Sequence, residues 1–232
     1  LEISNYLLEA KEALIEVDIG EEENVNVSVK HDVKLLPGIN SLTMDIKLDN
    51  VKYWWPWDKG YPHLYWVKVT IREDNSIIDC TRKSFGVRKV KLVLSENGRK
   101  VFYFKINGEK VYARGFNWTP PDSIFVRTSF KDYLKLLEMV KEANANMLRV
   151  WGGGIYPHEE FYDICDKLGI MIWQDFMFAC GAYPRDHWFL MEAMEEAKHI
   201  VKRLRNHPSI VLWCGDNEND VIYHPEGHPL NR

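Results

Sequence analysis

The chain has 232 residues, 46% hydrophobic and 28% charged, with a formal net charge of −4 at pH 7. That composition belongs to a folded globular protein and excludes wholesale disorder. The slightly acidic balance gives no electrostatic basis for binding nucleic acid or an anionic membrane, and no apolar run reaches the length of a bilayer span.

Residues 1–94 read as strands. Ala13 to Ile19, Val25 to Val29, Leu42 to Leu48 and Tyr65 to Ile71 each alternate apolar and polar side chains, the period of a strand covered on one face. Gly20, Pro37-Gly38, Asp49-Asn50 and Glu73-Asp74-Asn75 separate them as turn residues. Several short strands in this span predict a β-sandwich, with a short turn near 5–10. A second pair, Val101 to Ile106 and Lys110 to Arg114, flanks Asn107-Gly108, a strong hairpin signal.

Beyond this pair, strands alternate with helices. Ser129 with Asp132 predicts a capping box, and Tyr133, Leu136, Leu137, Val140 and Ala143 follow helical spacing. Met147 to Trp151 reads as a buried strand. Pro157 and Gly169 bracket a helix whose inner stripe is Phe161, Ile164, Cys165 and Leu168. Ile170 to Trp173 is the next strand, Trp188 to Arg205 a long amphipathic helix, and Ile210 to Cys214 the fourth strand. Buried strands joined by helices predict a parallel α/β layer. A doubly wound sheet and a (β/α)8 barrel both satisfy the pattern. Gly152-Gly153-Gly154 is not the dinucleotide fingerprint. The barrel is favoured because Asn117, Arg149, Asp175, Asn217 and Glu218 all fall at or just past strand C-terminal ends, the catalytic face of barrels. Four strand units make about half of the eight that close one.

The run Gly215-Asp216-Asn217-Glu218-Asn219-Asp220 follows an apolar strand directly. Asn, Asp and Gly favour turns, so a plain turn explains the composition. A catalytic mouth explains it as well, since the other strand ends deliver polar groups to the same place. Glycoside cleavage needs such a collection: a carboxylic acid to protonate the departing oxygen, a second carboxylate, and amides for sugar hydroxyls. Aromatic residues make up 13% of the chain, and many lie beside polar groups, as in Trp173-Gln174-Asp175. Flat rings next to hydrogen-bonding groups suit sugars, although a Trp also simply fills cores. Arg149 reads either as an ion-pair partner of Asp175 or as a substrate contact. Asp175 is also an alternative second carboxylate.

Cys80, Cys165, Cys180 and Cys214 have neither metal nor disulfide spacing, which points to a reduced, cytoplasmic setting. His158, His187, His199, His207, His224 and His228 show no metal-ligand spacing and are expected as surface, capping or loop residues. The triple glycine is expected to allow a tight turn and close packing, and Trp54-Trp55-Pro56-Trp57 to form a packed edge of the sandwich. No signal peptide is visible at Leu1, and the abrupt start reads as an excised piece. No metal or cofactor is expected.

Six phrases, in order, resemble glycoside hydrolase family 2, and within it the β-mannosidases. They are Trp54-Trp55-Pro56 with Gly60-Tyr61-Pro62-His63-Leu64-Tyr65; Phe85-Gly86-Val87-Arg88; Phe104 to Gly108 with Gly115 to Asp122; Arg149 to Gly154; Trp173 to Phe176; and Asn206-His207-Pro208-Ser209-Ile210 through Asn217-Glu218. The resemblance implies an all-β immunoglobulin-like sandwich, residues 1–94, followed by the first half of a (β/α)8 TIM barrel, residues 95–232. It implies a retaining exo-glycosidase acting on β-linked mannosides or mannose-containing oligosaccharides. Glu218 matches the acid/base, Asn217 the Asn before it, Trp118 a tryptophan lining the mannose site, and Arg149 an arginine supporting the catalytic carboxylates. Asn117, Trp151 and Asp175 complete the expected substrate-binding set. Cys214-Gly215-Asp216 departs from the more usual Ser-Gly-Asn, and a nearby Asp216 charge would raise the pKa of Glu218. The family's nucleophile is a glutamate on the seventh barrel strand, which has no counterpart here, so the missing parts of its own polypeptide are expected partners and the isolated chain is expected to be inactive. A β-galactoside, β-glucuronide or β-glucosaminide specificity, and a non-catalytic carbohydrate-binding or structural role, stay open as alternatives.

Overall fold

A computed structural model describes residues 1–74, 76–219 and 221. Asn75 of an expected turn, Asp220 of the acidic run, and His224 and His228 lie outside the described residues. The described residues form two compact units, one within Leu1–Lys52 and Leu64–Phe85, the other of Tyr53–His63 and the described residues from Gly86 onward. The expected boundary at 94/95 thus differs from the structural one at Phe85/Gly86, and residues 53–63 belong with the second unit.

The first unit contains β1 (Glu2–Asn5), β2 (Lys11–Glu21), β3 (Asn24–Leu35), β4 (Gly38–Ser41), β5 (Tyr65–Glu73) and β6 (Ser76–Phe85). An antiparallel sheet runs in the order β3-β2-β5-β6, and β1 pairs with β4. The alternation of β2 buries Ala13, Ile15, Val17 and Ile19 on one face, where Ile15 and Val17 lie opposite Ile71 and Val69 of β5. Side chains on one face of paired strands make the unit's core this way. Residues 42–48 do not form the expected strand. They lie outside any ladder, yet Leu42, Met44, Ile46 and Leu48 pack partly buried on the sheet core. Alternation requires only that one side of an extended segment be covered, not that its backbone have a partner strand.

The second unit opens with β7 (Val90–Glu96), β8 (Arg99–Ile106) and β9 (Glu109–Val111), an antiparallel trio. Asn107 and Gly108 both take positive φ, 51° and 91°, as a tight two-residue hairpin requires. Then β10 (Gly115–Trp118), α1 (Phe130–Glu142), β11 (Met147–Val150), α2 (Glu159–Leu168), β12 (Met171–Asp175), α3 (His187–Leu204) and β13 (Ile210–Cys214) alternate, and the four strands form one parallel sheet in chain order. Helix α1 starts with the expected reciprocal cap: Asp132 N–H donates to Ser129 Oγ, and Ser129 N–H donates to Asp132 Oδ2 at 2.8 Å. Gly169 closes α2 in the left-handed region at φ 72°. One sheet face and the helices share a core that includes Leu148, Val150, Ile172, Ile210, Tyr133, Phe161 and Ile164.

One sequence expectation is corrected and another sharpened here. The Trp54 cluster packs against this unit and not in the sandwich. Trp54 is fully buried and its indole N–H donates to the Asp166 carbonyl at 2.8 Å. The Trp57 indole donates to the Ala145 carbonyl at 3.0 Å, and its backbone N–H donates to Gly169. These acceptors precede β11 and β12, at the end of barrel strands whose residues serve stability. His207 is a loop residue, as expected, and it is buried. Its Nδ1 lies 2.6 Å from Asp166 Oδ2 in a buried pair, and Ser209 N–H donates to the other Asp166 oxygen. His207, Asp163 and Asp166 place three ligand-type atoms within 4.8 Å of one another, but both Asp166 oxygens already have protein partners, so the cluster is accounted for as a structural network. Burial alone would lower the His207 pKa, but the bond and charge of Asp166, with Asp163 and Glu159, outweigh it and raise it.

Candidate active site

Parallel pairing lines up the strand ends. Asn117 lies opposite Arg149, Arg149 opposite Trp173, and Asp175 opposite Cys214. Residues in register on neighbouring strands share a face, so Asn117, Arg149 and Trp173 point to the side away from the helices. They line a cavity of about 950 Å³ along that face together with Phe102, Arg114 and Phe116. In a closed barrel this interior is filled by side chains, and Asn217 and Glu218 are not among the cavity's lining residues. The cavity therefore follows the inner sheet face and does not reach Glu218.

Trp118 alternates to the opposite side. Its ring centroid lies 4.7 Å from Phe161 and 6.2 Å from Tyr133, and only 8% of the residue is exposed. The aromatic residue that the resemblance places at the sugar is thus packed in the helix-facing core. Trp151, just past β11, lies over the triple glycine: a Cβ on Gly153 would meet its ring at 2.0 Å. A Cβ on Gly152 would meet the carbonyl oxygens of Phe178 and Phe176 at 2.6 and 2.7 Å. The expected close packing is here, and it fixes how near the β11 loop comes to the β12 loop.

Arg149 and Asp175 form the anticipated ion pair. An Arg149 terminal nitrogen lies 2.8 Å from Asp175 Oδ2, Nε donates to the same carboxylate, and Gly152 N–H donates to it at 3.1 Å. The Arg149 guanidinium carbon sits 5.0 Å from the Trp173 ring centroid. Asp175 is fully buried while the Arg149 side chain is 25% exposed. A carboxylate so enclosed and paired has no open approach to an anomeric carbon, which removes Asp175 as the second carboxylate.

The segment after β13 is both a turn and a platform. Asp216 Oδ1 accepts from Asn219 N–H at 3.0 Å and closes it. Asn217 is buried and forms an isolated parallel bridge with Ala179. Its N–H donates to the Phe178 carbonyl and its own carbonyl accepts from Cys180 N–H, both at 2.9 Å. The β12 and β13 loops are thereby stitched together. Glu218 follows with φ 62° and an exposed side chain. A non-glycine residue held in this region marks a place where the surroundings dictate the backbone, a common property of functional sites. Cys180 is also exposed, at φ 47°. Its Sγ lies 3.5 Å from Glu218 Oε2 and 3.4 Å from Asn217 Nδ2. Sequence reasoning gives Cys180 no role; its position five residues past the end of β12, on the loop side where barrels place function, is the available signal.

Residues 1–88 match the description Glycosyl hydrolases family 2, and residues 99–229 match Glycosyl hydrolases family 2, TIM barrel domain. The chain is 42% identical to the beta-mannosidase of Capra hircus over 203 residues, which are 85% of this chain and 23% of that protein. It is 39% identical to beta-mannosidase B of Thermothelomyces thermophilus over 188 residues, 80% of this chain and 22% of that protein. The crystal structure of a beta-D-mannosidase from Dictyoglomus thermophilum superposes with a TM-score of 0.89 at 42% identity, covering 95% of this chain and 27% of that one. A Bacteroides uniformis beta-glucuronidase superposes with a TM-score of 0.80 at 20% identity over 94% of this chain and 25% of that one, a likeness of fold. The chain spans about a quarter of the length of the curated relatives it matches.

Proposed function

The chain belongs to glycosyl hydrolase family 2, and on that premise we propose that it is the acid/base-bearing part of a retaining exo-β-mannosidase that removes terminal β-D-mannose from β-linked mannosides. The observation that carries this reading is Glu218, exposed at the strand-end platform beside the buried Asn217. In the first step the Glu218 carboxylic acid donates its proton to the departing glycosidic oxygen while a carboxylate attacks the anomeric carbon; in the second, the Glu218 carboxylate takes a proton from the water that releases the sugar. Asn217 offers its side-chain amide to a sugar hydroxyl. Arg149, anchored by Asp175, supplies positive charge at the mouth, with Asn117 and Trp151 at neighbouring strand ends.

The attacking carboxylate is assigned to no residue of this chain, since Asp175 is buried in its ion pair. The same reading puts the mannoside specificity on the similarity to the two beta-mannosidases and the beta-D-mannosidase structure. A cytoplasmic location belongs to it too, supported by four unpaired cysteines.

The test uses the full-length protein containing this chain. Glu218→Gln is expected to cut turnover severely on mannosides with poor leaving groups and far less on aryl mannosides whose leaving groups need little protonation. Equal losses on both sink the acid/base role. Faster hydrolysis of β-galactosides, β-glucuronides or β-glucosaminides than of β-mannosides by the unaltered protein overturns the choice of sugar.

A further inference from the structure

We propose that Cys180 is the positioning residue of Glu218: its thiol holds the acid/base carboxylate in both protonation states and fixes the Asn217 amide beside it. The inference rests on the reading of Glu218 as acid/base.

The geometry comes from backbone first. The bridge between Ala179 and Asn217, with its two 2.9 Å hydrogen bonds, sets the β12 and β13 loops in register. Cys180 and Glu218 are the residues immediately past that bridge on either side, and both turn sharply at positive φ. Their side chains are thereby brought together from positions 38 apart in sequence. The contact is not a chance meeting of two mobile surface groups, because the buried Asn217 side chain donates to the same sulfur.

The chemistry suits a residue that must change roles. A retaining acid/base gives up a proton in one step and takes one in the next. A strong cationic donor at 3 Å would favour the carboxylate and disable the acid. A thiol is a weak donor and a weak acceptor. It donates S–H to Glu218 when the carboxylate is ionised and accepts O–H when it is protonated, orienting the group without fixing its charge.

The same contact makes Cys180 a reporter of Glu218. The Glu218 carboxylate engages the Cys180 S–H at 3.5 Å, and a thiol held in that contact is less open to electrophiles than one released from it. Iodoacetamide alkylates by attack of the thiolate sulfur on carbon, forming a C–S bond as iodide leaves, with the thiol proton passing to solvent.

Three variants of the full-length protein test this. Cys180→Ala is expected to lower kcat/KM about tenfold on mannosides with poor leaving groups, the loss of one hydrogen bond's worth of positioning, and much less on activated aryl mannosides. Cys180→Ser is expected to recover most of that loss and to move the high-pH limb of kcat/KM to lower pH, since a hydroxyl is the stronger donor to the carboxylate. In Glu218→Gln, alkylation of Cys180 by iodoacetamide, followed by mass spectrometry at fixed pH, is expected to accelerate. The idea is overturned if Cys180→Ala leaves both substrates and the pH profile unchanged while Glu218→Gln abolishes turnover on poor leaving groups. It is also overturned if the alkylation rate is the same with Glu or Gln at 218, a result readable even where Cys180→Ala does not fold. A Glu218→Gln protein that keeps its activity on poor leaving groups refutes the acid/base reading instead.

Discussion

Arg149 and Asp175 meet across adjacent strands in an ion pair whose two ends differ in burial: the carboxylate is sealed in, while a quarter of the arginine side chain remains open. That asymmetry sets which partner the fold depends on having.

Removing the arginine strands a buried charge, and removing the charge of the aspartate leaves an arginine that reaches water. Arg149→Met is expected to destabilise by about 3–5 kcal/mol. Asp175→Asn is expected to cost about 1–3 kcal/mol, because the oxygen of the introduced amide still accepts from Gly152 N–H. Denaturant midpoints measure both. A larger loss for Asp175→Asn would mean that the pair's worth does not follow burial.

Gly152 is where the β11 loop touches the β12 loop. Its substitution by Ala sets a Cβ against two carbonyl oxygens of residues 176 and 178, and backbone cannot step aside as a flexible side chain does. Gly152→Ala is therefore expected to displace the segment that holds Cys180 and to lower turnover at least about tenfold while the protein stays folded. Kinetics beside a thermal melt check this; unchanged turnover would show that the two loops are not mechanically linked.

His207 carries a pH signature far from the strand-end platform. Its folded pKa is raised above the ordinary value of about 6.5. The stability it contributes is thus fully present below that ordinary value and lost as pH rises through the raised one. The stability difference between the unaltered protein and His207→Gln is expected to shrink as pH rises above about 6.5 and through the raised His207 pKa. A difference that is flat or grows over this range contradicts the ionised His207–Asp166 pair.

The sequence makes some of this visible and hides the rest for physical reasons. Strands β2, β3 and β5 show because one covered face writes period two into their side chains. The Asn107-Gly108 hairpin, the Ser129 cap and Gly169 show because local backbone geometry demands those residue types. Strand β6 does not show: all but its last residue are exposed, so nothing in its side chains alternates. Trp54 is misplaced by a reading of sequence, and the burial of His207 is not visible in it, because their partners, Asp166 above all, are 112 and 41 positions away. Glu218 is legible from its strand end and from resemblance. Cys180 is not, since its meaning comes only from the bridge between two loops.

The most direct measurement of the role given to Glu218 is azide rescue. In the full-length protein, Glu218→Ala is assayed on an activated aryl β-mannoside with and without azide. A small anion attacks the glycosyl-enzyme without needing a base, and no carboxylate at 218 repels it. Azide is predicted to accelerate turnover and to yield β-mannosyl azide. Turnover indifferent to azide, with no β-mannosyl azide formed, would contradict Glu218 as the acid/base of a retaining enzyme.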